Sequence, residues 1–136
     1  MSKIALAVSD RWTPDARVDS IGDFAARLGC SIIAVHVAYG TEGSGADTIP
    51  GERVLELIAT QLRARQVKVE TLMLFSDDLG EAILKTAEEH RATMLVLGLS
   101  SKGMLTRLIE GNVAQQIIRG AKMPVLLLPP DWSTPI

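Results

Sequence analysis

Four short apolar runs, Ile4 to Val8, Ile32 to Val37, Met94 to Leu97 and Val125 to Leu128, limit what this chain can fold into. A sheet with one wet face carries a polar residue at every second position. These runs do not, so their strands belong in a parallel sheet covered on both faces. The stretch from Val67 to Leu74 alternates in its first half, as a more exposed edge strand would.

Helical patterns lie between the runs. Thr13, Pro14 and Asp15 read as an N-cap, a first-position proline and an early acid, and Val18, Ile21, Ala25 and Leu28 then share one face until Gly29 stops the turn. Val54, Leu55, Leu57, Ile58 and Leu62 form a second stripe. Asp78 and Glu81 resemble a capping box, opening a third helix with Ile83, Thr86, Ala87 and His90 at helical spacing. Val113, Ala114, Ile117 and Ile118 mark the last. Ala38 to Pro50, with three glycines, reads as a loop leading into the second helix. Five strands alternating with four helices predict a doubly wound α/β sheet, which binds ligands at the carboxyl ends of its strands where the winding reverses.

With 136 residues, 47% of them hydrophobic, the chain suits one domain over residues 1–136. A net charge of −2 gives no basic footprint for nucleic acid, and no run of 18 apolar residues is present to span a bilayer. The amino-terminal apolar stretch is five residues long and leads into an acidic turn, so it reads as a first strand rather than a signal peptide. Cys30 is the only cysteine, which excludes an internal disulfide, suits a reducing cytoplasm and reads as an inert core thiol. His36 and His90 lack metal-ligand spacing: His36 reads as a buried, hydrogen-bonded histidine, and His90 as a cation at a helix carboxyl end.

The chemistry concentrates between Met94 and Pro129, read as strand, glycine-bearing loop, helix and strand. Free N–H groups where a crossover helix begins suit a phosphate. This segment resembles the carboxyl-terminal part of the universal stress protein family, whose ATP-binding members carry glycine, two residues, glycine, nine residues, glycine, then serine or threonine. Gly98 and Gly111 fit the first and third glycines at the family separation, while Ser101 stands at the second and Asn112 at the hydroxyl position. The family's first strand commonly ends in valine, aspartate, glycine and serine; here the stretch is Val8, Ser9, Asp10 and Arg11. Asp10 is either the displaced nucleotide contact or a solvated turn acid. Val37 matches a position that backs the adenine ring, and is equally a core valine.

The resemblance implies a five-stranded sheet of order 3-2-1-4-5, of the adenine nucleotide alpha hydrolase-like, Rossmann-like type. It implies a nucleotide site formed by Ala7, Ser9, Asp10, Val37, Leu97, Gly98, Ser100, Ser101, Gly111, Asn112 and Val113. The expected ligand is ATP or AMP, with magnesium allowed beside ATP, and the expected role is that of a cytoplasmic regulator rather than an enzyme. Ser9, Ser101 and Asn112 favour the alternative, a nucleotide-free dimeric interaction module of the same fold. An adenylating or phosphoryl-accepting enzyme lacks its signatures in this chain. Pro124, Val125, Leu126, Leu127 and Leu128 would form an edge strand without guarding charges, and the expectation is a homodimer through that strand plus a protein partner of unknown identity.

Overall fold

A computed structural model describes residues 2–8, 16–39, 48–98, 113–129 and 136. Its strands are β1 (Lys3–Ala7), β2 (Ser31–Tyr39), β3 (Val69–Ser76), β4 (Met94–Gly98) and β5 (Val125–Leu128). The helices among the described residues are α1 (Ala16–Leu28), α2 (Thr48–Arg63), α3 (Leu79–Glu89) and α4 (Val113–Gly120). The sheet is parallel throughout, in the order β3-β2-β1-β4-β5, as expected. β1 therefore lies at the centre, and the alternating stretch forms the β3 edge.

Side chains on each strand alternate between two cores. Ile4, Leu6, Ile32 and Ala34 pack with Val18, Ile21, Ala25, Leu55, Ile58 and Leu62, on the face covered by α1 and α2. On the other face Ala5, Ala7, Ile33, Val35, Leu95 and Leu97 pack with Ala87 and Ile117, under α3 and α4. Burial on both sides is why the runs need no polar alternation.

Helix ends show which sequence signals were sufficient. At the end of α1, Gly29 has φ +69°, its N–H donates to the Ala26 carbonyl at 3.2 Å, and Cys30 N–H donates to the Ala25 carbonyl at 2.9 Å. This paired closure favours glycine at the left-handed position. The same closure ends α3 without one: Arg91 has φ 55°, with Arg91 N–H donating to the Glu88 carbonyl at 3.0 Å and Ala92 N–H to the Ala87 carbonyl at 2.9 Å.

Several expectations need correction. Leu28, Leu57 and Ile118 are 54%, 48% and 56% exposed, because each sits at the margin of its apolar stripe, beyond the cover of the described elements. The segment expected as a loop from Ala38 to Pro50 is shorter at both ends, since β2 runs through Tyr39 and α2 begins at Thr48. Cys30 is half-buried at the rim of the α1/α2 core, with Sγ donating weakly to the Leu28 carbonyl at 3.9 Å. Thr13, Pro14 and Asp15 lie outside the described residues.

Candidate functional site

The winding reverses between β1 and β4. Their register pairs Ala7 with Leu97, and Ala7 also lies opposite Val35 of β2, so the ends of three central strands stand side by side. Ala7 and Leu97 are buried on the α3/α4 face, with half-buried Val37 packed against the same core. Gly98 ends β4 opposite Leu128, and Val113 opens α4. The described part of the site is thus a floor of small and apolar side chains, followed by the chain leaving β1 and β4. Ser9, Asp10, Ser100, Ser101, Gly111 and Asn112 lie outside the described residues.

A helix also borders this end of the α3/α4 face. Asp78 caps α3 by accepting from the Glu81 backbone N–H at 3.1 Å, the capping expected from the sequence. The same carboxylate oxygen accepts from Gln116 Nε2 of α4 at 3.1 Å. The Glu81 N–H, then the Gln116 amide, hold the Asp78 carboxyl below the usual carboxylate range. Close approach requires Gly80, where a Cβ would run into the Gln116 side chain. Nothing in the sequence spacing marked Gln116 as the partner, since the contact is made only when the two helices pack together.

On the opposite face, His36 is buried as expected, at 5% exposure, and its Nδ1 lies 2.8 Å from the Val8 carbonyl. That bond reaches the last described residue of the first apolar run. His90 is the half-buried C-cap of α3, its N–H donating to the Thr86 carbonyl at 3.0 Å.

A groove of about 370 Å³ lies between α2 and β3, lined by Glu52, Leu55, Ala59, Arg63, Thr71 and Met73. It is at the edge of the sheet, two strands from Ala7, and lies away from the winding reversal between β1 and β4. Among the described residues no group of three or more histidine, cysteine, aspartate or glutamate side chains is placed to hold a metal ion, and no helix is long and apolar enough to cross a membrane.

Comparison with known proteins agrees with this architecture. The sequence profile of the Universal stress protein family matches residues 1–129. A universal stress protein of Methanocaldococcus jannaschii is 32% identical over 78 residues, 57% of this chain and 45% of that protein, so the chain spans less than half the length of that relative. The universal stress protein from Archaeoglobus fulgidus superposes with a TM-score of 0.75 at 22% identity, covering 93% of both chains. Its complex with dAMP gives 0.74 at 22% identity, over 93% of this chain and 97% of that one. A family member from Arabidopsis thaliana with AMP bound gives 0.63 at 18% identity, over 96% and 93% of the respective chains. At these identities the structures show a shared fold.

Proposed function

The chain belongs to the universal stress protein family, and from that premise we propose that it is a cytoplasmic regulator binding an adenine nucleotide, ATP or AMP, where β1 and β4 end. The observation that carries the reading is the pairing of Ala7 with Leu97 at the winding reversal, with Gly98 ending β4 and with Ser9 and Asp10 coming after β1 in sequence. In this reading the base lies against the small and apolar residues there, and Gly98, without a Cβ, suits the approach of backbone N–H groups to a phosphate. Gly111 matches the family's third glycine, Ser101 and Asn112 stand in place of its second glycine and its hydroxyl residue, and with their neighbours Ser100 and Val113 they complete the proposed phosphate-binding set. Solved relatives with dAMP and with AMP support an adenine nucleotide as the ligand class. Magnesium would accompany ATP and be dispensable for AMP. Occupancy, rather than turnover, is the signal in this reading.

Asn112 retains the capacity to cap α4 and to donate through its amide, so replacement of the family hydroxyl leaves a polar partner for the ligand. Ser101, by contrast, adds a side chain where the family has glycine. A nucleotide-free dimeric module is therefore the second reading, and Ser101 is the residue that favours it. Titration with a fluorescent ATP analogue, displaced by unlabelled AMP, separates the two: saturable and displaceable signal supports the first, and none at either nucleotide supports the second.

In both readings the protein is a homodimer through β5. Leu127 is 39% exposed on this edge strand, and Ile118 of α4 is also exposed. An apolar edge without charges invites a second strand, and the two-fold partner is the occupant that leaves no further edge on that side.

A further inference from the structure

We propose that His36 is a positioning residue for the nucleotide site, fixing the point at which the chain leaves β1 toward Ser9 and Asp10; the inference rests on the nucleotide reading above. The His36 Nδ1 lies 2.8 Å from the Val8 carbonyl oxygen. A carbonyl only accepts, so Nδ1 carries the proton and the neutral ring is the Nδ1–H tautomer. The paired register of β1 and β2 ends at Ala7 opposite Val35, and one residue further the Val8 N–H donates to the Val35 carbonyl at 2.7 Å. Val8 is thus held to β2 through both backbone groups, one by a strand carbonyl and the other by an imidazole.

A side-chain donor differs from a ladder rung in what it imposes. Ladder bonds keep two backbones about 4.8 Å apart; a ring reaching from β2 holds the Val8 carbonyl without that constraint. The Val8 carbonyl is therefore satisfied without a further ladder rung between β1 and β2.

The ring is itself fixed. Gly51 of α2 lies against it, where a Cβ would overlap Cδ2 and Nε2 and come within 3.2 Å of Cγ. His36 consequently joins β2, the exit of β1 and α2 through one imidazole, on the sheet face opposite Ala7 and Leu97. It acts on the ligand through the backbone and touches no part of the apolar floor.

Calorimetric titration of the full chain with AMP, using wild type, His36→Asn and His36→Phe, tests this role. Asparagine offers an amide N–H close to the position of Nδ1, whereas phenylalanine fills the space without a donor. The expected result is AMP affinity within about threefold of wild type for His36→Asn and roughly tenfold weaker for His36→Phe, the equivalent of one lost hydrogen bond. Nitrogen NMR of wild type should show the Nδ1–H tautomer, with the ring resonances moving as AMP binds. A wild type that binds neither AMP nor ATP overturns the nucleotide reading and this inference together; if ATP alone binds, the same comparison of variants is made with ATP. Binding by wild type with His36→Phe equally tight, with His36→Asn as weak as His36→Phe, or with an Nε2–H ring, overturns the positioning role alone. If His36→Phe does not fold, the ring spectrum decides: resonances unmoved by AMP overturn the role.

Discussion

Asp78 and Gln116 join the start of α3 to the middle of α4 through a 3.1 Å hydrogen bond, made by the same carboxylate oxygen that caps α3. Removing the carboxylate breaks the cap and the interhelical tie together. Asp78→Ala should lower the melting temperature more than Gln116→Ala, which leaves the cap intact. Because the folded value of Asp78 is depressed, its contribution is complete above the unfolded carboxyl value of about 3.9 and disappears as the pH falls through the folded value. The stability difference between wild type and Asp78→Asn should therefore be full at neutral pH and close below about pH 4, as measured by urea unfolding across the series.

Arg91 occupies the left-handed position that ends α3, with φ 55° and an exposed side chain. Arg91→Gly should stabilise the fold by up to about 1 kcal/mol, the cost of holding an L-residue there offset by the extra freedom of glycine when unfolded. Denaturant midpoints for the two proteins check the sign. A clear loss would mean that the Arg91 side chain contributes more than its backbone strain costs.

The difference between Gly29 and Arg91 shows what could be read in the chain. Four strands were legible as apolar runs because a doubly covered sheet leaves no polar alternation, and the first helix announced its end with a glycine. Arg91 and Gln66, at φ 68°, adopt the same backbone state without the residue that signals it. Leu28, Leu57 and Ile118 have the right spacing but sit where neighbouring elements stop, and periodicity contains no information about such margins. The pairing of Ala7 with Leu97, and the place of Gly98 next in β4, follow from the strand order, which was legible. The bonds from His36 to Val8 and from Gln116 to Asp78 join residues distant in the chain, and no local pattern encodes them.

Gly51 is a glycine whose role lies in its missing Cβ. Since the buried His36 ring lies against it, Gly51→Ala should destabilise by about 1–3 kcal/mol, despite the better helix propensity of alanine. Thermal unfolding measures this. Gly22→Ala, where the nearest atom is Leu62 Cδ2 at 3.2 Å, should cost less, because the neighbours there are side-chain atoms able to yield by a few tenths of an ångström.

Leu127 tests the proposed dimer. A lysine on each copy would bring like charges together across the two-fold axis, so Leu127→Lys should convert a dimer at micromolar concentration to a monomer in sedimentation velocity, with the circular dichroism spectrum unchanged. A wild-type monomer at that concentration would contradict the dimer outright.

The central claim is that an adenine nucleotide binds where β1 and β4 end. Amide chemical-shift mapping during titrations with AMP and with ATP decides this, since the amides of Ala7, Val8, Leu97 and Gly98 report the ends of β1 and β4, and those of Thr71 and Met73 report the separate groove at the β3 edge. Saturable shifts in the first group with at least one nucleotide, with Thr71 and Met73 unmoved, are expected. Shifts confined to Thr71 and Met73, or none that saturate with either nucleotide, would contradict the claim.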